Sequence, residues 1–363
     1  LVIQNNTFDN KEIIGYIQNL NYPLLKYFHT RDQISVAKNS DLAILNSTGK
    51  YVCFIGDDDG VCAHIVSAVK WMEKKGIDVL KTTLNTYKWP SFNFSKMADF
   101  SATLMLSFYD KKYKKINPIE QLKKTLRHGG NSRHGITNLP KVYHGIAKRT
   151  TLDKIYAIGG TFFPGPSPDM ANSVAMSFVA ENFVFLNFPI VIPGNSNRTG
   201  GDSKKYKGQC APISEIPFLP ANTKKNWESF IPKVWSSETI MPESACKSLQ
   251  YMGREEYIKK YFNKERMLAH FIISHFDLKK IAYEKSSNKI VLNIYLFSYF
   301  LNKISQAVYS KTIYSLFSVL YGGNSNGRGF LNMNNYFKVT RNLQSINEAN
   351  RFILEKEPTF EIK

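Results

Sequence analysis

Short apolar runs and helical patterns alternate through the first third of the chain. Leu1–Gln4 reads as a strand, Lys11–Leu20 as a helix and Leu24–His29 as a strand. Asp32–Leu45 places Ile34, Ala37, Leu42 and Leu45 near one helical face. Tyr51–Ile55 is an apolar strand, and beyond it Val61, Ile65, Val69 and Met72 follow helical spacing. Asp78–Thr82 is the next strand. Such alternation predicts an α/β fold, a mostly parallel sheet covered on both faces, with ligands beyond the carboxyl ends of the strands.

Further along, Ser101–Tyr109 alternates like a strand, and a basic stretch running from Lys111 to Arg133 follows it. Helices are expected over Thr150–Ile158 and Met170–Ala180, with the Gly- and Pro-rich segment Gly159–Asp169 between them. Phe183–Ile192 reads as one strongly apolar strand, followed by the glycine-bearing flap Gly194–Ser203. From about Asn226 the chain reads as helical, broken by the loop Gly322–Gly329. Two parts are therefore expected: residues 1–222, holding the sheet, and residues 223–363, a mainly helical extension.

The 363 residues carry a net charge of +19, which favours anionic partners: nucleic acid, acidic lipid headgroups or phosphorylated substrates. No nucleic-acid module accompanies the charge, so nucleic acid is not expected as a partner. Cys53, Cys62, Cys210 and Cys246 form no CxxC pair and are expected to be free thiols. No signal peptide and no membrane-spanning run is visible, which implies a cytoplasmic protein, with peripheral contact to the inner face of an anionic membrane through the Lys- and aromatic-rich helices.

The strongest chemical signal is Gly56-Asp57-Asp58-Asp59-Gly60, directly behind the strand Tyr51–Ile55. Three adjacent carboxylates repel one another and resist leaving water. A divalent cation holding a diphosphate removes that cost, whereas a solvated acidic turn avoids it. Hard oxygen donors select Mg2+ or Mn2+. Neither a Walker-type loop nor a Ser-His-Asp arrangement can be assembled.

The order of these segments resembles family-2 GT-A glycosyltransferases. Ile3-Gln4-Asn5-Asn6-Thr7-Phe8-Asp9, Ala37-Lys38-Asn39-Ser40-Asp41 and Gly49-Lys50-Tyr51 through Asp59 stand where that family has Val-Asp-Asn-Gly-Ser-Thr-Asp, Ala-Arg-Asn-x-Gly and Gly-Lys-Tyr-x-x-Phe-Leu-Asp-x-Asp. The resemblance covers roughly residues 1–190, and the family's first strand is missing ahead of Leu1. It implies transfer of a hexosyl or N-acetylhexosaminyl group from a nucleotide diphosphate, with UDP the default, to a glycan or lipid-linked glycan hydroxyl in surface-polysaccharide synthesis. It further implies Gln4, Asn5, Asp9, Lys38 and Asp57 as donor contacts, and Asp58 as metal ligand with Asp59 as second choice. Asp169, at the start of a helix, is the general base it implies; Tyr143, His144 and Phe163 are acceptor-side residues. Gln4 replaces the family's base-reading Asp, and Asp9 is equally placed to cap the helix at Lys11. A nucleotidyltransferase acting on a sugar phosphate is the alternative enzyme, and a basic nucleic-acid-binding protein the alternative of another class.

Overall fold

The computed structural model describes residues 1–92, 101–131, 138–197, 210–302, 304–305 and 336–362. Arg133, residues 198–203 of the expected flap and the loop Gly322–Gly329 lie outside the described residues.

The first segment contains β1 (Val2–Asn5), α1 (Lys11–Leu20), β2 (Lys26–His29) and α2 (Val36–Leu45). The second helix starts later than its apolar spacing predicts. Ser35 is extended and its hydroxyl accepts from the Lys38 N–H at 3.2 Å, fixing the start at Val36. There follow β3 (Tyr51–Cys53), β4 (Gly60–Val61), α3 (Ile65–Lys75) and β5 (Val79–Thr82). Val61 belongs to a strand and not to the helix: it pairs with Val191, so its helical spacing was coincidental. Next come β6 (Thr86–Lys88), β7 (Thr103–Ser107), β8 (Tyr113–Lys115), α4 (Pro118–Arg127), β9 (Gly145–Lys148), α5 (Arg149–Gly159) and α6 (Pro168–Val179). The single strand expected over Phe183–Ile192 is two, β10 (Phe183–Leu186) and β11 (Val191–Ile192), on different sheets. Pro189 lies between them and has no N–H for a ladder. After β12 (Gly194–Asn195) come β13 (Ala211–Pro212) and β14 (Val234–Trp235), an antiparallel pair that delays the helical part to Ser237. That part comprises α7 (Ser237–Tyr251), α8 (Glu256–Tyr261), α9 (Lys264–Ser274), α10 (Lys279–Lys285) and α11, helical over 289–302. The chain then returns through β15 (Tyr336–Thr340) and α12 (Ile346–Lys356).

The five-stranded sheet has the order β3-β9-β5-β10-β8. β5 and β10 run parallel, whereas β9 runs against both β3 and β5 and β8 against β10. The sheet is thus mixed in direction, with β3, β5 and β10 pointing one way. Alternation along the strands feeds two cores. Val79, Ala147 and Phe183 pack with Leu152, Ile155 and Met176 on one face, and Leu80, Ile146 and Val184 pack with Ala68 and Met72 on the other. Both faces are covered, as the sequence predicts.

The mainly helical C-terminal region is present, built on α7 and α9 around Trp227, Trp235, Leu268 and Phe271. Its last segment does not stay there. β15 pairs with β7, and Ala349 and Ile353 of α12 pack beside Cys62, Tyr87 and Leu104. β15 thus joins a sheet of the first part and α12 packs on its core, whereas the division at 222 assigns both to the second. All four cysteines are free thiols.

Candidate functional site

The acidic turn leaves the carboxyl end of β3. Phe54 continues the strand for one residue by bridging to Tyr143, donating its N–H to the Val142 carbonyl and accepting from the His144 N–H. The Tyr143 segment is thereby laid alongside the turn. Asp59, the third carboxylate, points inward and has a side chain only 2% exposed. Its Oδ2 accepts from the Gly56 N–H at 2.7 Å, the Tyr143 hydroxyl at 3.1 Å and His144 Nε2 at 2.6 Å. Its Oδ1 accepts from the Gly194 N–H at 2.8 Å. Burial, the largest influence, pushes this carboxyl up; the hydrogen bond and charge of His144 and the two backbone N–H groups outweigh it and hold it below its ordinary value.

Asp58 faces differently. Its carboxylate accepts from Ser196 Oγ at 3.1 Å and its carbonyl from Trp89 Nε1 at 2.8 Å. Gly194 passes so close that a Cβ there would stand 1.6 Å from the Asp58 carbonyl oxygen, so no other residue fits. Asp57 is exposed. Among the described residues no three His, Cys, Asp or Glu side chains form a metal-holding group. The donor set of Asp57 and Asp58 still fits a magnesium-like ion, because such ions are held by one or two carboxylates plus substrate phosphates. Asp59, with both oxygens already accepting, serves as the anchor of the turn.

Asp169 is the second residue of α6, whose N-cap is Ser167 without a side-chain capping bond. The carboxyl lines a cavity of about 140 Å3 together with Lys81, Leu139, Lys141, Met170, Ser173 and Met241. Burial raises its pKa, the charges of Lys141 and His144 oppose this, and Asp59 adds to it. Asp169 and the acidic turn are thus near enough to feel each other. Tyr143, stacked on His144 with ring centroids 3.9 Å apart, lies between them in this field. Burial first, then the negative charges of Asp59, Asp169 and Asp58, push its phenol up, so it remains a donor. His144 is held at φ 55, and Gly145 follows a turn so tight that a Cβ would meet the Lys141 carbonyl oxygen at 2.1 Å.

The residues expected to hold the donor base lie along β1 and β2. The Gln4 amide donates to Thr30 Oγ1 at 3.1 Å and accepts from Asn46 at 3.0 Å. Asn5 donates to the Tyr27 hydroxyl and accepts from the Thr7 N–H. Asp9 accepts from the Lys11 N–H at 3.0 Å, ordering the entry to α1 as a local cap does. Lys38 is exposed and lines a second cavity of about 360 Å3 with Asp41, Thr161, Phe163 and Pro164. Asp41 accepts from the Thr161 hydroxyl and the Phe162 N–H, both at 2.8 Å, and so ties the Gly- and Pro-rich segment to α2. Phe163 is 2% exposed, its ring 5.6 Å from that of Phe54.

Two residues escaped the sequence reading. Lys81 is a single charge inside the apolar strand Val79–Thr82, a signal that was legible; Lys141 lies in an irregular segment and carried none.

No protein-family model and no curated protein matches the chain. Solved structures of S. aureus TarS are similar at a low level. TarS 1-349 in complex with UDP-GlcNAc is 12% identical over 77% of this chain and 63% of that one, with a TM-score of 0.38. TarS 1-349 is 14% identical over 78% and 80%, with a TM-score of 0.37. Its complex with UDP is 14% identical over 54% of this chain, with a TM-score of 0.36, and the chain spans about half (51%) of that structure.

Proposed function

We propose that this chain is a metal-dependent, inverting glycosyltransferase that moves a sugar from a nucleotide diphosphate, UDP being the first donor to try, to an acceptor hydroxyl on a glycan or lipid-linked glycan. One observation carries the reading: the short segment from Lys141 to Gly145 holds the acidic turn through Tyr143 and His144, and its Lys141 sets a positive charge against Asp169. Carboxylates for a diphosphate site and a carboxylate for proton transfer therefore share one scaffold.

In this mechanism Asp58 and Asp57 would hold a Mn2+ or Mg2+ ion, which would supply Lewis-acid stabilisation to a leaving diphosphate. Ser196 orients the Asp58 carboxylate, and Asp59 keeps the turn rigid, so little reorganisation is needed as charge develops. Asp169 accepts the proton of the acceptor hydroxyl as its oxygen bonds to the anomeric carbon and the anomeric C–O bond to the diphosphate breaks. The raised pKa of Asp169 suits it to taking that proton. Single displacement inverts the anomeric centre.

The test is a thermal-shift and turnover screen of nucleotide-sugars with and without Mn2+. A metal-dependent rise in melting temperature, lost in Asp58→Ala, is expected. Equal response of the variant, or no response to any nucleotide-sugar, removes the reading.

An anionic bilayer is the expected site of work. No described helix is long and apolar enough to cross a membrane. Along α11 and its continuation, however, Ile290, Ile294, Phe297, Leu301 and Ile304 are exposed at spacings of four and three, and Lys289 of the same helix and Lys279 and Lys280 of α10 are exposed too. An exposed apolar stripe with exposed ammonium groups on the same helical segment matches an acidic lipid surface. Sedimentation with phosphatidylglycerol vesicles but not phosphatidylcholine vesicles, weakened in Phe297→Ser, is the expected result; a vesicle-independent dimer would instead assign the stripe to a second copy.

A further inference from the structure

The cavity beside Asp169 holds more positive charge than its own residues balance. Lys81 reaches it from β5 and Lys141 from the segment before Tyr143. Neither ammonium makes a hydrogen bond or salt bridge among the described residues. Their neighbours Leu139, Met170 and Met241 form an apolar wall, and Asp169 supplies the single carboxylate. Two ammonium groups against one carboxylate in the lining leave one positive charge in a half-enclosed space, where an unpaired charge is costly; Asp59, outside the lining, also favours the charged form of Lys141. The volume of about 140 Å3 is well above the ~10–15 Å3 that one water needs. Burial and the neighbouring Lys141 pull Lys81 down to about 7, a cost that an incoming anion reverses.

We propose that this cavity is a subsite for a singly charged oxyanion, the phosphodiester or carboxylate of an anionic acceptor, held by Lys81 and Lys141 so that a nearby hydroxyl of the same acceptor meets Asp169. The word acceptor rests on the sugar-transfer reading; the anion site itself does not. The apolar wall strengthens the attraction between the oxyanion and the two ammonium groups. The subsite also explains why a lysine interrupts an otherwise apolar strand. Lys81 and Lys141 thereby act as selectivity residues, rejecting neutral glycans because binding one leaves the ammonium pair buried and unbalanced.

The probes are dimethyl phosphate and acetate, at high millimolar concentration and constant ionic strength against chloride. Melting temperature of the wild-type chain is expected to rise with at least one of them. Response to dimethyl phosphate alone assigns a phosphodiester, and response to acetate alone a carboxylate. The rise should vanish in Lys81→Gln and in Lys141→Gln, survive in Lys81→Arg, and survive in Asp58→Ala. No rise with either anion, or an unchanged rise in both Gln variants, overturns the subsite. Should the anion effects hold while no nucleotide-sugar binds, the subsite stands and the sugar-transfer reading falls. If a donor does bind, Lys81→Gln should raise KM for a charged acceptor at least tenfold and leave donor affinity unchanged.

Discussion

Two charged regions lie within reach of each other and are built on opposite plans. At the acidic turn the buried carboxylate of Asp59 accepts four hydrogen bonds, so its charge is met entirely from inside the protein. In the neighbouring cavity Lys81 and Lys141 stand beside Leu139, Met170 and Met241, with Asp169 the one carboxylate in the lining. A saturated charge is a fixed part of the scaffold, and its pKa is displaced toward the charged form. An unsaturated one is displaced toward the neutral form and remains available to a ligand or a proton. The contrast separates the residue that fixes the turn from the residues to which the proposed reaction assigns roles, although all of them are charged side chains.

The comparison breaks most visibly at Asp169. Asp169→Asn should lower transfer by about 10²–10⁴-fold, the usual contribution of a positioned general base, while leaving donor affinity unchanged. Calorimetric titration of donor beside a turnover assay separates the two, and full turnover in the variant rules Asp169 out as base.

Asp59→Asn tests the saturated side. Removing one partner of a buried, hydrogen-bonded charge should cost about 3 kcal/mol in urea unfolding. The folded pKa of Asp59 is depressed, so its contribution is complete above the ordinary carboxylate value and is lost as pH falls through the lower folded value. The gap between wild type and variant should therefore close in acid. A gap that persists there would mean the charge is irrelevant and only the shape matters.

Lys81→Gln should do the reverse and stabilise the protein. Lys81 is depressed to about 7, so below that pH the folded state must carry a charge it disfavours, and the penalty fades as pH rises from there toward the ordinary lysine value of 10.5. The melting temperature of the variant is expected to exceed that of the wild type most at pH 6 and to converge with it near pH 10. Lower stability at every pH would place Lys81 among the saturated charges.

The smallest effect belongs to Ser196→Ala, which deletes one hydrogen bond to the Asp58 carboxylate. About 0.5–1.5 kcal/mol, under or near tenfold in donor affinity with metal present, is the expected loss by titration.

Hydrophobic period and turn residues determined much of this protein by themselves. The helix Lys11–Leu20, the strands at Tyr51 and Val79, the helix near Met170 and the acidic turn behind β3 were all legible, because local spacing and capping act within a few residues. Strand direction, the return of β15 to β7 and the split of Phe183–Ile192 were not, since pairing partners come from distant parts of the chain. The same limit holds at the site. Three adjacent aspartates announce a charged turn, but nothing in their order says which one turns inward. Tyr143, His144 and Gly194 decide that, from 84, 85 and 135 residues away. Charge balance in a cavity is a sum over residues that only tertiary packing brings together. Lys81, Lys141 and Asp169 therefore became one site when the sheet, the Lys141 segment and α6 closed around it.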